Sequence, residues 1–173
     1  RKNTPDKLKT LTPIYAQLIA STQSQQEDLL LYELAWIHFD DNNKELATQC
    51  FGRIHRHFKQ SKHWPEATLK LAHQKTEENK TDRSEQLLSS ILKNSKDRNA
   101  LATSTFELAK IAFDKKEYLR AAKLFRTIVD RFSENKISKL AVYWAAEANY
   151  LIEKLDVAGQ QFEAIAVDAR LGQ

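Results

Sequence analysis

The sequence predicts an all-α fold: a right-handed superhelix (α-solenoid) of four 37-residue helical hairpins, preceded by an N-terminal helix. Three observations predict it. First, residues of matching size recur every 37 positions without a gap: Ala35, Ala72, Ala109 and Ala146; Ile54, Ile91, Ile128 and Ile165; Phe51, Leu88, Phe125 and Phe162; Ala47, Ser84, Ala121 and Ala158. Second, apolar residues within each period fall at i, i+3, i+4 and i+7, the spacing of one helix face. Third, 3 Gly and 3 Pro among 173 residues are too few for a turn-dense β architecture.

The elements follow in chain order. Residues 1–27 are expected to form a helix or half-repeat, starting at Thr4-Pro5-Asp6 with Pro at the first helical position, and carrying Leu8, Leu11, Ile14, Tyr15, Leu18 and Ile19 on one face. Pro13 is expected to kink this helix or open a new one after Thr12. The four repeats occupy about 28–64, 65–101, 102–138 and 139–173, as one domain. In the third, Phe106, Ala109, Ile111 and Phe113 mark a first helix, and Asp114-Lys115-Lys116 a polar break. Tyr118, Ala121, Ala122, Leu124, Phe125, Ile128, Val129 and Phe132 then mark a second. Breaks as short as Asp40-Asp41-Asn42-Asn43 and Thr81-Asp82 force antiparallel neighbours, and their Asp, Asn and Thr side chains suit N-caps. The small columns lie where paired helices cross, which permits axes roughly 8–10 Å apart.

Composition bounds the rest. A 20.0 kDa chain with 42% hydrophobic and 29% charged residues can bury one core. The mean hydropathy of −0.59 and the lack of a long uninterrupted apolar run exclude a transmembrane helix in this piece. One cysteine, Cys50, excludes an intramolecular disulfide framework and a multi-thiolate zinc site. The chain starts at Arg1 and holds no Met, as expected of a processed chain or an internal piece. With no polar capping helix after Ala169, the chain is expected to continue past Gln173 or to have that end covered by a partner.

The order of a small residue, a second small residue twelve positions on, and an aromatic four later resembles the tetratricopeptide repeat. Leu108-Ala109, Tyr118, Ala121, Phe125 and Ile128 match it best; the second repeat departs, with Ser84 for Ala and Leu88 for Phe. Two further departures are a period of 37 residues rather than about 34, and Lys59 and Ser133 near the place of the usual late proline. Longer repeats ending in stretches such as Phe58-Lys59-Gln60-Ser61, and the run Val142-Tyr143-Trp144-Ala145-Ala146-Glu147-Ala148, are similar to those of bacterial envelope proteins such as the Tol-Pal cell-division coordinator and the outer-membrane assembly lipoprotein. That resemblance implies a periplasmic adaptor, and favours the cell envelope over the cytoplasm.

Catalysis finds little support in the residues. The three glycines form no phosphate-cradling loop, and no cofactor is expected. Cys50 shares a column with Leu87 and Leu124 and reads as core. His55 and His57 stand two apart, roughly 200° around a helix, and cannot share a metal.

Two functional readings remain. Stacked hairpins make a concave wall lined by first helices, which suits peptides or helices. By the resemblance, the groove positions are Tyr32 and Tyr143; Trp36, His73, Lys110 and Glu147; and Glu33, Lys70, Glu107 and Trp144. Trp36 and Trp144 either anchor a partner or pack against neighbouring repeats. The Lys/Asn set by which some relatives clamp a C-terminal carboxylate is missing. The second reading is a polyanion-binding module, for glycan or nucleic acid, using Arg53, Arg56, Lys59 and Lys62, whose spacing of three along a helix is expected to make a drifting basic stripe, with His55, His57 and His63 adding charge below about pH 6. Residues 51–100 hold 11 basic and 6 acidic groups, but a net +4 is small for a nucleic-acid binder. Beyond these two readings, the solenoid ends offer a surface for self-association.

Overall fold

The computed structural model describes residues 10–15, 17 and 26–171, and among them every regular element is an α-helix. Residues 10–15 and 17 are helical, with Pro13 inside the run. The expected helix start at Thr4-Pro5-Asp6 lies outside the described residues, as do Leu8, Leu18 and Ile19. Eight further helices follow: α1 (Glu27–Asp40), α2 (Lys44–His57), α3 (Trp64–Glu77), α4 (Thr81–Asn94), α5 (Arg98–Asp114), α6 (Tyr118–Arg131), α7 (Ile137–Leu151) and α8 (Leu155–Leu171). The all-α class expected from the sequence is the class observed.

The chain forms two compact units, residues 1–80 and 81–173. Their boundary falls inside the second repeat, the one that departs most from the family pattern. In the first unit α1 and α2 form a hairpin and α3 packs on α2; in the second, α4 packs on α5, α5 pairs with α6, α6 with α7, and α7 with α8.

Side-chain caps open two of the helices, while those starting at Glu27, Trp64, Tyr118 and Ile137 begin without one. The Asn43 side chain accepts the Leu46 amide at the start of α2, at 3.3 Å, and Asp97 accepts the Ala100 amide at the start of α5, at 2.8 Å. Pro65 occupies the first turn of α3, where a missing amide costs nothing. The first helix of each repeat ends in the same way. Asn42, Asn79, Lys116 and Glu153, one in each repeat, take φ of 59°, 58°, 63° and 61°. The next residue's amide then bonds five residues back: Asn43 to His38 O, Lys80 to Lys75 O and Glu117 to Ala112 O at 2.8 Å, and Lys154 to Asn149 O at 2.9 Å. This closure satisfies orphan carbonyls with a left-handed residue, here never glycine.

The sequence columns are the core. Ala35, Ala72, Ala109 and Ala146 have no exposed surface, and Ala47, Ser84, Ala121 and Ala158 are buried beside them. Ile54, Ile91 and Ile128 are fully enclosed, each burial stabilising by about 1.5–3 kcal/mol. Their counterpart Ile165 in α8 is half-buried, as is Phe162 in the column of Phe51 and Phe125.

Candidate functional site

The expected groove residues divide between the two units. In the first, α1 supplies Tyr32, Glu33 and Trp36, and α3 supplies Lys70 and His73. The Tyr32 hydroxyl donates to Glu66 and its ring stacks on His63 at 4.2 Å. Burial first, and then that hydrogen bond, push the Tyr32 pKa up to about 12. Glu33 accepts from the Tyr15 hydroxyl. Trp36 is half-buried, edge-on to Tyr32, Phe39 and Phe51. Lys70 Nζ lies 4.5 Å from the Trp36 ring centre and 4.9 Å from that of Phe39.

Beside Lys70 and His73 opens a cavity of about 120 Å³. Its apolar part is Phe39, Ala47 and Phe51; its polar part adds Lys44, Thr48, Gln74 and Glu77. Thr48 Oγ1 donates to Gln74 Oε1 at 2.7 Å, and Lys44 Nζ pairs with Glu77 at 3.1 Å.

In the second unit Lys110 projects from α5, and Tyr143, Trp144 and Glu147 from α7. Lys110 Nζ lies 3.5 Å from the Trp144 ring centre, and Trp144 meets Phe113 at 5.1 Å and Phe125 at 6.3 Å. Tyr143 is exposed, packs edge-on to Phe162, and its hydroxyl bonds Glu147, which raises its pKa. Trp36 and Trp144 are therefore neither bare anchors nor fully enclosed core. Each is half-buried among aromatic rings beneath a lysine.

The basic residues do not form one helical stripe. The α2 helix ends at His57 and is capped by Phe58, so Lys59 and Lys62 lie in the following loop while Arg53 and Arg56 remain on the helix. Arg53 is ion-paired with Glu27. Two of the three histidines are also committed to packing. His55 Nδ1 stands 3.0 Å from Thr68 Oγ1 with its ring stacked on Trp64, and His63 stacks on Tyr32. Burial, then Lys62, lower the His63 pKa, which disfavours its protonation.

Cys50 is buried at 8% exposure, and burial raises its thiol pKa, which makes it unreactive. Among the described residues no group of His, Cys, Asp or Glu is placed to hold a metal ion, and no helix is long and apolar enough to cross a membrane.

The cavity residues Phe39, Lys44, Thr48, Gln74 and Glu77 are not among the groove positions expected from sequence. The signal for them is a comparison of the first repeat pair with the second, in which Lys44 and Lys70 stand against Tyr118 and Trp144.

Comparison with known proteins follows the same architecture. A family model described as a tetratricopeptide repeat-like domain matches residues 14–132. No curated protein matches the sequence significantly. Among solved structures, the nearly identical TPR-like repeats of a protein described as a kinesin light chain from Podosopora anserina superpose with a TM-score of 0.67 at 13% identity, covering 97% of this chain and 90% of that one. A Q17M form of the same repeats gives 0.66 at 14% identity, covering 96% and 89%. At such identities the likeness is one of fold.

Proposed function

The chain belongs to the tetratricopeptide repeat-like family, and from that premise we propose that it is a non-catalytic scaffold receiving a peptide or helix on its first helices. Folds of this kind generally serve as protein–protein interaction scaffolds rather than catalysts. The proposed contact residues are Tyr32, Glu33, Trp36, Lys70 and His73 in the first unit, and Lys110, Tyr143, Trp144 and Glu147 in the second.

One observation carries the reading: a cavity lined by Phe39, Phe51 and Lys70, whose ammonium lies over half-buried Trp36. Binding energy at protein interfaces concentrates on a few such aromatic and cationic anchors. The test is to compare partner capture by the native chain and by Trp36→Ala and Trp144→Ala, with helical circular dichroism as the control. Capture that weakens while helicity stays supports the reading; unchanged capture in both variants overturns it.

The polyanion reading has less support, because Arg53 is neutralised by Glu27 and the basic residues are split between helix and loop. A place in a cell-envelope assembly is the finer part of the proposal. It rests on the 37-residue period, the Phe58-Lys59-Gln60-Ser61 ending and the run Val142-Tyr143-Trp144-Ala145-Ala146-Glu147-Ala148, and fractionation of the tagged native protein tests it.

A further inference from the structure

We propose that the first-unit cavity is a receptor for an aromatic side chain flanked by carboxylates in a partner peptide. The inference rests on the scaffold reading above and names the chemistry of what that scaffold takes.

The chain contains its own template for the site. A shift of two repeats carries Phe39 and Phe51 onto Phe113 and Phe125, and Lys44 and Lys70 onto Tyr118 and Trp144. In the second unit those last two positions are filled from within. Tyr118 packs on Phe113 at 5.2 Å, Trp144 packs on Phe113 at 5.1 Å, and Trp144 stacks on Phe125 at 6.3 Å and 20°. In the first unit both rings are replaced by lysines. The phenylalanine pair remains, Phe39 is 42% exposed, and a cavity of about 120 Å³ stands open. A cavity of about 150 Å³ in another protein holds a benzene ring, so this one is of a size to take a phenyl group. Where the second unit supplies its own aromatic rings, the first leaves the space to a ring from outside.

The charges at the mouth set what flanks that ring. Lys70 has no carboxylate partner among the described residues; its ammonium sits over Trp36 and Phe39. Lys44 is paired only with Glu77 among the described residues, and both side chains are largely exposed (62% and 64%), so the pair is weak and readily exchanged. An incoming ring gains a cation–π contact from Lys70, and a carboxylate beside it in the peptide gains an ion pair. A lysine in the same place meets like charge, so the cavity discriminates by repulsion as well as by fit.

The test uses the full chain, isotope-labelled, titrated with two tripeptides: acetyl-Glu-Phe-Glu-amide and acetyl-Lys-Phe-Lys-amide. The chain has three tryptophans, so the indole N–H signals separate Trp36 from Trp64 and Trp144. The expected result is a saturable shift at Trp36 and Phe39 with the acidic peptide, at least about tenfold weaker with the basic one. The Trp144 indole is expected to stay still. Lys44→Tyr with Lys70→Trp, which installs the second unit's own residues, is expected to abolish the shift. Should that variant fail to fold, Lys70→Glu alone must weaken the acidic peptide and strengthen the basic one. Equal affinity for both peptides, no shift at Trp36, or shifts that survive filling overturn the inference. If protein partners are still lost in Trp36→Ala while the acidic peptide leaves the cavity untouched, the receptor is wrong and the scaffold stands. If the acidic peptide binds as expected but Trp36→Ala and Trp144→Ala retain every partner, the scaffold reading fails and the receptor stands.

Discussion

Lys110 places its ammonium 3.5 Å from the ring centre of Trp144, and the same two repeat positions carry the reverse pair in the first unit, where Lys70 lies 4.5 Å from Trp36. Trp36 and Lys110 share one column, and Lys70 and Trp144 the other. Lysine and tryptophan have exchanged columns while the contact between successive first helices is kept.

That contact is expected to be energetic and separable. A double-mutant cycle of Lys110→Met and Trp144→Leu should give a coupling of about 0.5–2 kcal/mol in denaturant unfolding. Additive single effects would show that the ammonium contributes nothing to the ring.

The left-handed turns offer a gain in stability. Lys116 and Glu153 hold φ near 60° with a Cβ, a conformation that glycine adopts without that steric cost. Lys116→Gly and Glu153→Gly are each expected to stabilise by about 0.5–1 kcal/mol, measured by thermal unfolding. Asn42→Gly should give less, since asparagine already tolerates this region.

The fully enclosed and half-open members of one column should differ. Ile128→Ala is expected to cost about 2–5 kcal/mol, as it leaves a cavity in the core that Phe125 and α7 share. Ile165→Ala, half-buried in α8, should cost about 1 kcal/mol. Equal costs would show α8 to be as tightly covered as α6.

Acid should loosen the first unit. His38 is 4% exposed, its Nδ1 has no hydrogen-bond partner among the described residues, and burial lowers its pKa against an opposing pull from Asp41. His63 is lowered too. Both are favoured neutral when folded, while the unfolded chain protonates near pH 6.5 (about the free value). Stability from these groups is therefore complete above about pH 6.5 and is lost as pH falls from there through the lower folded-state pKa. Unfolding midpoints between pH 8 and 5 should show that decline, and His38→Gln should flatten it. A His38→Gln variant with the native slope would remove His38 from the account.

Most of the fold is legible in the sequence because repetition makes core positions announce themselves. Ala35, Ala72, Ala109 and Ala146 stand out by spacing alone, and all are buried without remainder. The turns at Asn42 and Lys116 fall in the expected polar breaks, whereas the second repeat turns at Asn79, just before the expected Thr81-Asp82, which open α4; the left-handed geometry of all four turns is hidden because none carries glycine. The basic residues from Arg53 to Lys62 read as one helical stripe because charge spacing gives no sign of the stop at Phe58. The proposed contact residues stand on the first helices of the repeats, and the contacts among them join columns of successive repeats, such as Lys70 with Trp36. The cavity is invisible to periodicity, since it is defined by what Lys44 and Lys70 fail to fill.

The most direct measurement of the central claim is partner capture by the native chain, by Trp36→Ala and by an Arg53→Ala, Arg56→Ala, Lys59→Ala variant, each at low and at physiological salt. The scaffold account predicts partners that survive physiological salt, are lost with Trp36→Ala and are kept by the triple variant. Partners that fall away with salt and with the triple variant, while Trp36→Ala retains them, would contradict it and assign the binding to anionic polymers.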